Sequence, residues 1–228
     1  MSSRRALRKY SYYWKRVKTR LGCVVPENIR DDLVEQQYER IGALIPVLYF
    51  AIASIAIVAA AASNGGFDVM YHIVLPLGFI AMGTYRTIVW RRRKQAPVDL
   101  HKMRRYLRST TLIAMVLGLV GGLWTLDAYY DTPEVRRVLA PVFIFMITFA
   151  GAICLTSLPR AAISLMAIAL TPPIIAMILS PDPGIRAMGI SLMIVTFLMA
   201  GLVITSFAQM IGSLKLRRKL RHLAESDA

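Results

Sequence analysis

Five residues of this chain have side chains that could bind a ligand, and they lie near the ends of long apolar segments. They are His72, Trp124, Asp127, Tyr129 and Asp131. A histidine titrates near neutral pH and can bind a metal ion, while carboxylates beside aromatic rings can bind a cation or an amine. Each residue also has an ordinary explanation, since aromatic and hydrogen-bonded polar side chains are common at membrane interfaces. The five are candidates for sensing a ligand.

Groups that catalyse reactions or hold metal ions are sparse. The two cysteines, Cys23 and Cys154, lack the paired spacing of zinc, iron–sulfur or redox sites. All 13 carboxylates lie in the termini, in loops or at the ends of apolar segments. Ion-coupled transporters and proton pumps usually place an ionisable group near the bilayer midplane, so the transporter class loses support. We expect no catalytic residue, no metal site and no cofactor in this chain.

The composition indicates a membrane protein. Of the 228 residues, 56% are hydrophobic, the mean hydropathy is +0.52 and the net charge is +15. These values fit together only if the charges lie outside the membrane. The basic residues adjoin the apolar segments, where anionic lipid head groups attract each of them by about 1 kcal/mol. The predicted partner is therefore a lipid bilayer with anionic head groups, and not nucleic acid.

Six apolar segments are each long enough to cross a bilayer as a helix. They cover approximately residues 41–62, 67–90, 109–126, 138–158, 161–180 and 187–213. A helix crosses hydrocarbon about 30 Å thick with about 20 residues, and it satisfies its own backbone hydrogen bonds without water. The segments are continuous rather than alternating, which argues against a β-barrel. The predicted fold is all-α, a polytopic bundle of six transmembrane helices over residues 41–213.

The basic residues also predict an orientation. If the N-terminus is cytoplasmic, 24 of the 28 Lys and Arg residues fall on the cytoplasmic side. The opposite loops then hold only Arg136, Arg137 and Arg186, and the remaining basic residue, Arg86, lies inside the second apolar segment. Cytoplasmic loops carry the positive excess, so both termini are predicted to face the cytoplasm.

Two segments lie outside the predicted bundle. Residues 1–40 form a basic N-terminal segment that ends in a short helix over about 26–40. Residues 214–228 continue the sixth helix, where Leu216, Leu220 and Leu223 recur at helical spacing and share one face. This pattern is typical of a signalling helix that pairs with a second copy, and a short amphipathic helix ending the last span would have the same spacing.

The last five residues resemble a family junction. The sequence from Ala224 to Ala228, with Asp227 three residues after Ala224, is similar to the start of a GGDEF domain in membrane-bound bacterial diguanylate cyclases. The layout of the preceding region resembles the MASE-type integral membrane sensors that precede such domains. No Gly-Gly-Asp-Glu-Phe signature occurs in this chain, so it does not itself make cyclic di-GMP.

The resemblance implies a sensory and anchoring module of the bacterial inner membrane, followed by a cyclase domain beyond residue 228. A small membrane-accessible ligand would change the packing of the sixth helix, and a homodimer formed through the C-terminal helix would bring two cyclase domains together. Two other classes stay open. The layout could precede a histidine kinase, although His222 lacks an acidic neighbour of the expected kind, or the chain could be a stand-alone scaffold or permease component.

Overall fold

The computed structural model describes residues 30–62, 75–93, 99–131 and 137–226, and all regular structure within them is α-helical. The helices are α1 (Arg30–Ala62), α2 (Leu75–Arg93), α3 (Leu100–Asp131), α4 (Leu139–Cys154), α5 (Pro159–Ile178) and α6 (Pro183–Ser226). The prediction of an all-α fold is confirmed for these residues.

Four of the helices are long and apolar enough to cross a membrane. The stretches concerned are Arg30–Ile55, Leu100–Asp131, Pro159–Ile178 and Pro183–Leu220. Helix α4 is apolar but has only 16 residues, or about 24 Å, because a turn follows Cys154 before Pro159 opens α5. The second predicted span began at residue 67, and residues 63–74 lie outside the described part of the chain. The chain therefore has the character of a multi-helix membrane protein.

The centre of the bundle is the contact between α3 and α5, the most extensive between any two described helices. Gly118 and Gly122 of α3 lie against the backbone of α5, where an added Cβ would approach Leu165 O at 3.2 Å and Ile168 O at 2.9 Å. Such small residues allow two helices in a membrane to pack closely. Around this contact lies the main apolar core, which includes Ala114, Ile144, Ala152, Leu155, Ala161, Ala162, Met166, Leu170, Ile174 and Val203.

Two helices extend well beyond the apolar segments that the sequence marks. Helix α1 joins the short helix expected before residue 41 to the first span without a break. Helix α6 runs for 44 residues and includes the C-terminal leucines. Polarity changes at residues 41 and 213, whereas backbone hydrogen bonding continues on both sides. The boundaries drawn from hydropathy are therefore not helix ends, and both helices continue past them.

Candidate functional site

The first turns of α1 connect three parts of the molecule at one end of the bundle. We call this end the basic end; it comprises residues 30–40 of α1, 99–108 of α3 and 207–220 of α6, with the turn between α4 and α5. Leu33 precedes residue 41, where the apolar part of α1 begins, by about 12 Å of helix. The basic end is therefore a layer of helices adjoining the apolar part of the bundle.

Two adjacent carboxylates of α1 form ion pairs with two different helices. Asp31 accepts a hydrogen bond from Arg104 of α3 at 2.6 Å, and Asp32 accepts one from Arg218 of α6 at 2.7 Å. The side chains of Asp32 and Arg218 are 41% and 40% exposed, and the Asp31 pair is more exposed still. Pairs this exposed contribute less than about 1 kcal/mol each. The two ion pairs therefore determine which residues of α1 face α3 and α6, and they add little to the stability of these contacts.

Apolar packing beneath the ion pairs supplies most of the attraction between α1 and α6. Leu33 is buried against α6 in a cluster that contains Phe207, Met210, Ile211 and Leu214. Full burial of a side chain of this size contributes about 1.5–3 kcal/mol in water. The extension of α6 is therefore fixed to α1 on one side.

The same segment of α1 also holds α3 and the turn between α4 and α5. Tyr38 packs edge-on against Tyr106, with ring centroids 5.4 Å apart. The buried Gln37 donates a hydrogen bond from Nε2 to the carbonyl oxygen of Ser157 at 2.7 Å. This bond satisfies a carbonyl of the turn that would otherwise be costly to bury. The first turns of α1 therefore contact α3, the α4–α5 turn and α6.

The three C-terminal leucines lie on the side of α6 that faces away from α1. Leu216, Leu220 and Leu223 are 60%, 58% and 52% exposed. Arg218 lies two residues from Leu216, about 200° around the helix, and it is the residue that pairs with Asp32. One face of this helix therefore packs on the bundle, and the leucine face is more than half exposed. Their predicted role in transmission stays a prediction.

At the opposite end of α3, the structure separates the residues that were candidates for ligand sensing. Tyr129 is buried, and the guanidinium of Arg137 lies over its ring at 5.5 Å from the centroid. Asp127 and Asp131 are exposed on the other side of α3, and Trp124 is half-buried. His72 lies outside the described residues. Tyr129 belongs to an apolar cluster with Ala176, Met177 and Ile185, so its position fits a packing role as well as a sensing one.

Metal chemistry has no geometric support in the described ranges. No group of three His, Cys, Asp or Glu residues there could hold a metal ion. Cys154 is buried at the end of α4.

Sequence reasoning missed Asp31, Asp32, Arg104 and Arg218 as partners. Acidic residues in the first turn of a helix are a signal in themselves, since they complement the helix dipole. Their pairing with α3 and α6 depends on how three distant segments meet, which local sequence does not encode. Comparisons with protein-family models, curated proteins and solved structures found no match to this chain. The geometry of the basic end is therefore the structural basis for a functional proposal.

Proposed function

We propose that this chain is a membrane-embedded sensory and anchoring module that controls a C-terminal diguanylate cyclase in bacterial signal transduction. The support is of two kinds. The sequence from Ala224 to Ala228 resembles the junction before a GGDEF domain. The helix that leads to that junction packs in the apolar bundle through Ile185 and Val203 and continues past the basic end.

The observation that carries the proposal is the continuity of α6. It runs without interruption from Pro183 to Ser226, 44 residues or about 66 Å, which is about twice the hydrocarbon thickness. Val203 of this helix is buried in the core beside α5, whereas Leu220 is exposed at the basic end. Because a helix transmits rotation and translation along its axis, repacking against α5 would move the leucine face.

The output step requires two copies of the chain. Leu216, Leu220 and Leu223 occupy the positions of a coiled-coil seam, and Arg218 lies on the outer side of that seam. Two such helices would bring two attached cyclase domains together in one arrangement and separate them in another. A signal shifts this equilibrium only by its difference in binding free energy between the two states. Tight packing of α1 on α6 would favour one of them.

We further propose six spans, with the basic end in the cytoplasm of a bacterial inner membrane. The four long helices account for four crossings. Helix α4 would cross where the bilayer thins locally to match its length, and α2 would belong to the second predicted span, residues 67–90. The side is supported by the distribution of Lys and Arg, of which 24 fall at the end with both termini.

The first test is to read the native open reading frame beyond the codon for Ala228. A continuation containing a GGDEF-type signature would support the proposal. A long dimerisation helix with a phosphoacceptor histidine would indicate a histidine kinase instead. An immediate stop codon would contradict both and leave a scaffold or permease component.

A second test examines the dimer seam in membranes. In a background with Cys23→Ser and Cys154→Ala, we expect Leu216→Cys to form a disulfide-linked dimer on mild oxidation. Lys215→Cys is the matched control, since it is exposed and adjacent but lies outside the seam. Equal cross-linking of the two variants would contradict pairing through the leucine face.

A further inference from the structure

One outward face of α3 changes its chemistry twice along its length. It consists of the exposed residues within about 60° of one line down the helix. They are His101, Lys102, Arg105, Arg108, Ser109, Leu112, Val116, Leu119, Val120, Leu123, Asp127 and Tyr130. The face therefore begins with basic residues, continues with apolar ones and ends at a carboxylate followed by a tyrosine.

The length of the apolar part matches a bilayer. From Arg108 to Asp127 the helix rises about 28 Å, against about 30 Å for the hydrocarbon of a typical membrane. Leu112, Val116 and Leu123 are each more than half exposed along this stretch. An exposed apolar face of this length fits acyl chains, and it places Arg108 at the level where phosphates of the lipids lie.

The neighbouring arginines of α3 have different surroundings. Arg104 turns toward α1 and is paired with Asp31. Arg105 and Arg108 are exposed, and within the described residues no ion pair neutralises either of them. They are three residues apart, so their side chains can reach a common anion. A guanidinium binds phosphate through two parallel hydrogen bonds, which makes arginine well suited to this ligand.

We infer that Arg105 and Arg108 form a binding site for the phosphate of an anionic phospholipid, with its acyl chains on Leu112 and Val116. The inference rests on the proposed crossing of the membrane by α3. A lipid is favoured over a soluble phosphate because the apolar face continues directly from the two arginines. Arg104, held by Asp31, keeps the adjoining part of α3 against α1 and presents the site outward.

The test uses the full chain purified in a neutral detergent, with lipid retention measured by native mass spectrometry. Phosphatidylglycerol is the probe, phosphatidylcholine is the zwitterionic comparison, and glycerol phosphate is the soluble one. The double variant Arg105→Gln/Arg108→Gln is compared with Arg217→Gln/Lys219→Gln, which removes the same charge from exposed positions on the extension of α6. We expect the first variant to bind phosphatidylglycerol about tenfold more weakly and the control to bind it like the parent chain.

Three results would overturn the inference. Equal losses in the two variants would mean that overall charge, and not this site, attracts the lipid. Equal retention of phosphatidylcholine and phosphatidylglycerol would remove the role of charge. Binding of glycerol phosphate as tight as that of the lipid would indicate a soluble anion instead.

Two features keep the test decisive. Helix content and detergent-solubilised size are checked by circular dichroism and gel filtration, and the single variants Arg105→Gln and Arg108→Gln replace the double one if it does not fold. Lipid retention needs no output domain and no dimer seam. Failure of the Leu216→Cys cross-link would therefore contradict the signalling proposal while leaving the lipid result intact.

Discussion

The contact between α3 and α5 depends on two hydrogen atoms, the side chains of Gly118 and Gly122. An added Cβ at Gly122 would lie 2.9 Å from Ile168 O and 3.1 Å from Ala169 O, both backbone atoms that cannot rotate away. The helices would have to separate, and overpacking of this kind costs about 1–3 kcal/mol.

We therefore expect Gly122→Ala to lower the free energy of unfolding in mixed micelles by about 1–3 kcal/mol. Gly201→Ala in α6 is the matched control, because nothing lies within 4 Å of the Cβ position there. The measurement is a titration with a denaturing detergent followed by circular dichroism. If the two alanine variants were equally stable, close packing at Gly122 would not be what holds α3 to α5.

The contact of α1 with α6 combines a weak ion pair with a buried leucine. Asp32→Asn should lower the free energy of unfolding by less than about 1 kcal/mol, because Asp32 and Arg218 are well exposed. Leu33→Ala should lower it by about 2–5 kcal/mol, since Leu33 is only 5% exposed. The same unfolding titration compares them, and a larger effect of Asp32→Asn would show that charge dominates this contact.

Some of these residues carry a local sequence signal and others do not, for a physical reason. A glycine inside an apolar helix favours close approach wherever the helix packs, so the residue type of Gly118 and Gly122 is a signal that needs no knowledge of the fold. Asp31 and Asp32 look like ordinary acidic residues at a helix start. Their partners, Arg104 and Arg218, are distant in sequence. Both belong to basic segments for which charge alone predicts contact with lipid head groups.

At the scale of helices, α6 can transmit a movement from the core to the leucine face only if its backbone hydrogen bonds between these two regions remain intact. Gln209 is exposed and lies between Val203 and Leu214, both of which are buried. A proline there would remove one hydrogen bond, clash with the preceding turn and kink the helix.

We expect Gln209→Pro to reduce the oxidative cross-linking of Leu216→Cys at least severalfold, since the kink moves the extension away from α1. Gln209→Ala is the control, because alanine keeps the helix and removes only an exposed side chain. Cross-linked dimer is measured in membranes containing equal amounts of each protein. Unchanged cross-linking in the proline variant would mean that the extension pairs independently of the bundle.

Hydropathy predicted the existence of the long helices better than their ends. It separates water from hydrocarbon, and residues 30–40 and 214–226 are helical in spite of their charges because they pack or continue an existing helix. It also overestimated α4, whose apolar run extends into the turn between Cys154 and Pro159. There the chain reverses and Gln37 satisfies the carbonyl of Ser157, a contact made by a residue 120 positions away.

For the whole molecule, the arrangement of all helices depends on whether the short α4 crosses the membrane. Asp131 at the end of α3 and Arg160 at the start of α5 flank it in sequence, and both are exposed. If α4 crosses, Asp131 and Arg160 lie on opposite sides, and Arg160 shares its side with Lys219 at the basic end. The bond from Gln37 to the turn before Arg160 supports this arrangement, because Gln37 also belongs to the basic end.

We therefore expect a membrane-impermeant maleimide to label Asp131→Cys in intact spheroplasts, and Arg160→Cys and Lys219→Cys only after the membrane is opened. The background lacks Cys23 and Cys154, and each variant is also labelled after lysis to show that its thiol can react. Labelling of Arg160→Cys together with Asp131→Cys would mean that α4 does not cross. Labelling of Arg160→Cys and Lys219→Cys without labelling of Asp131→Cys would mean that the whole protein is inverted, so that the basic end would face away from the cytoplasm and from any cyclase substrate.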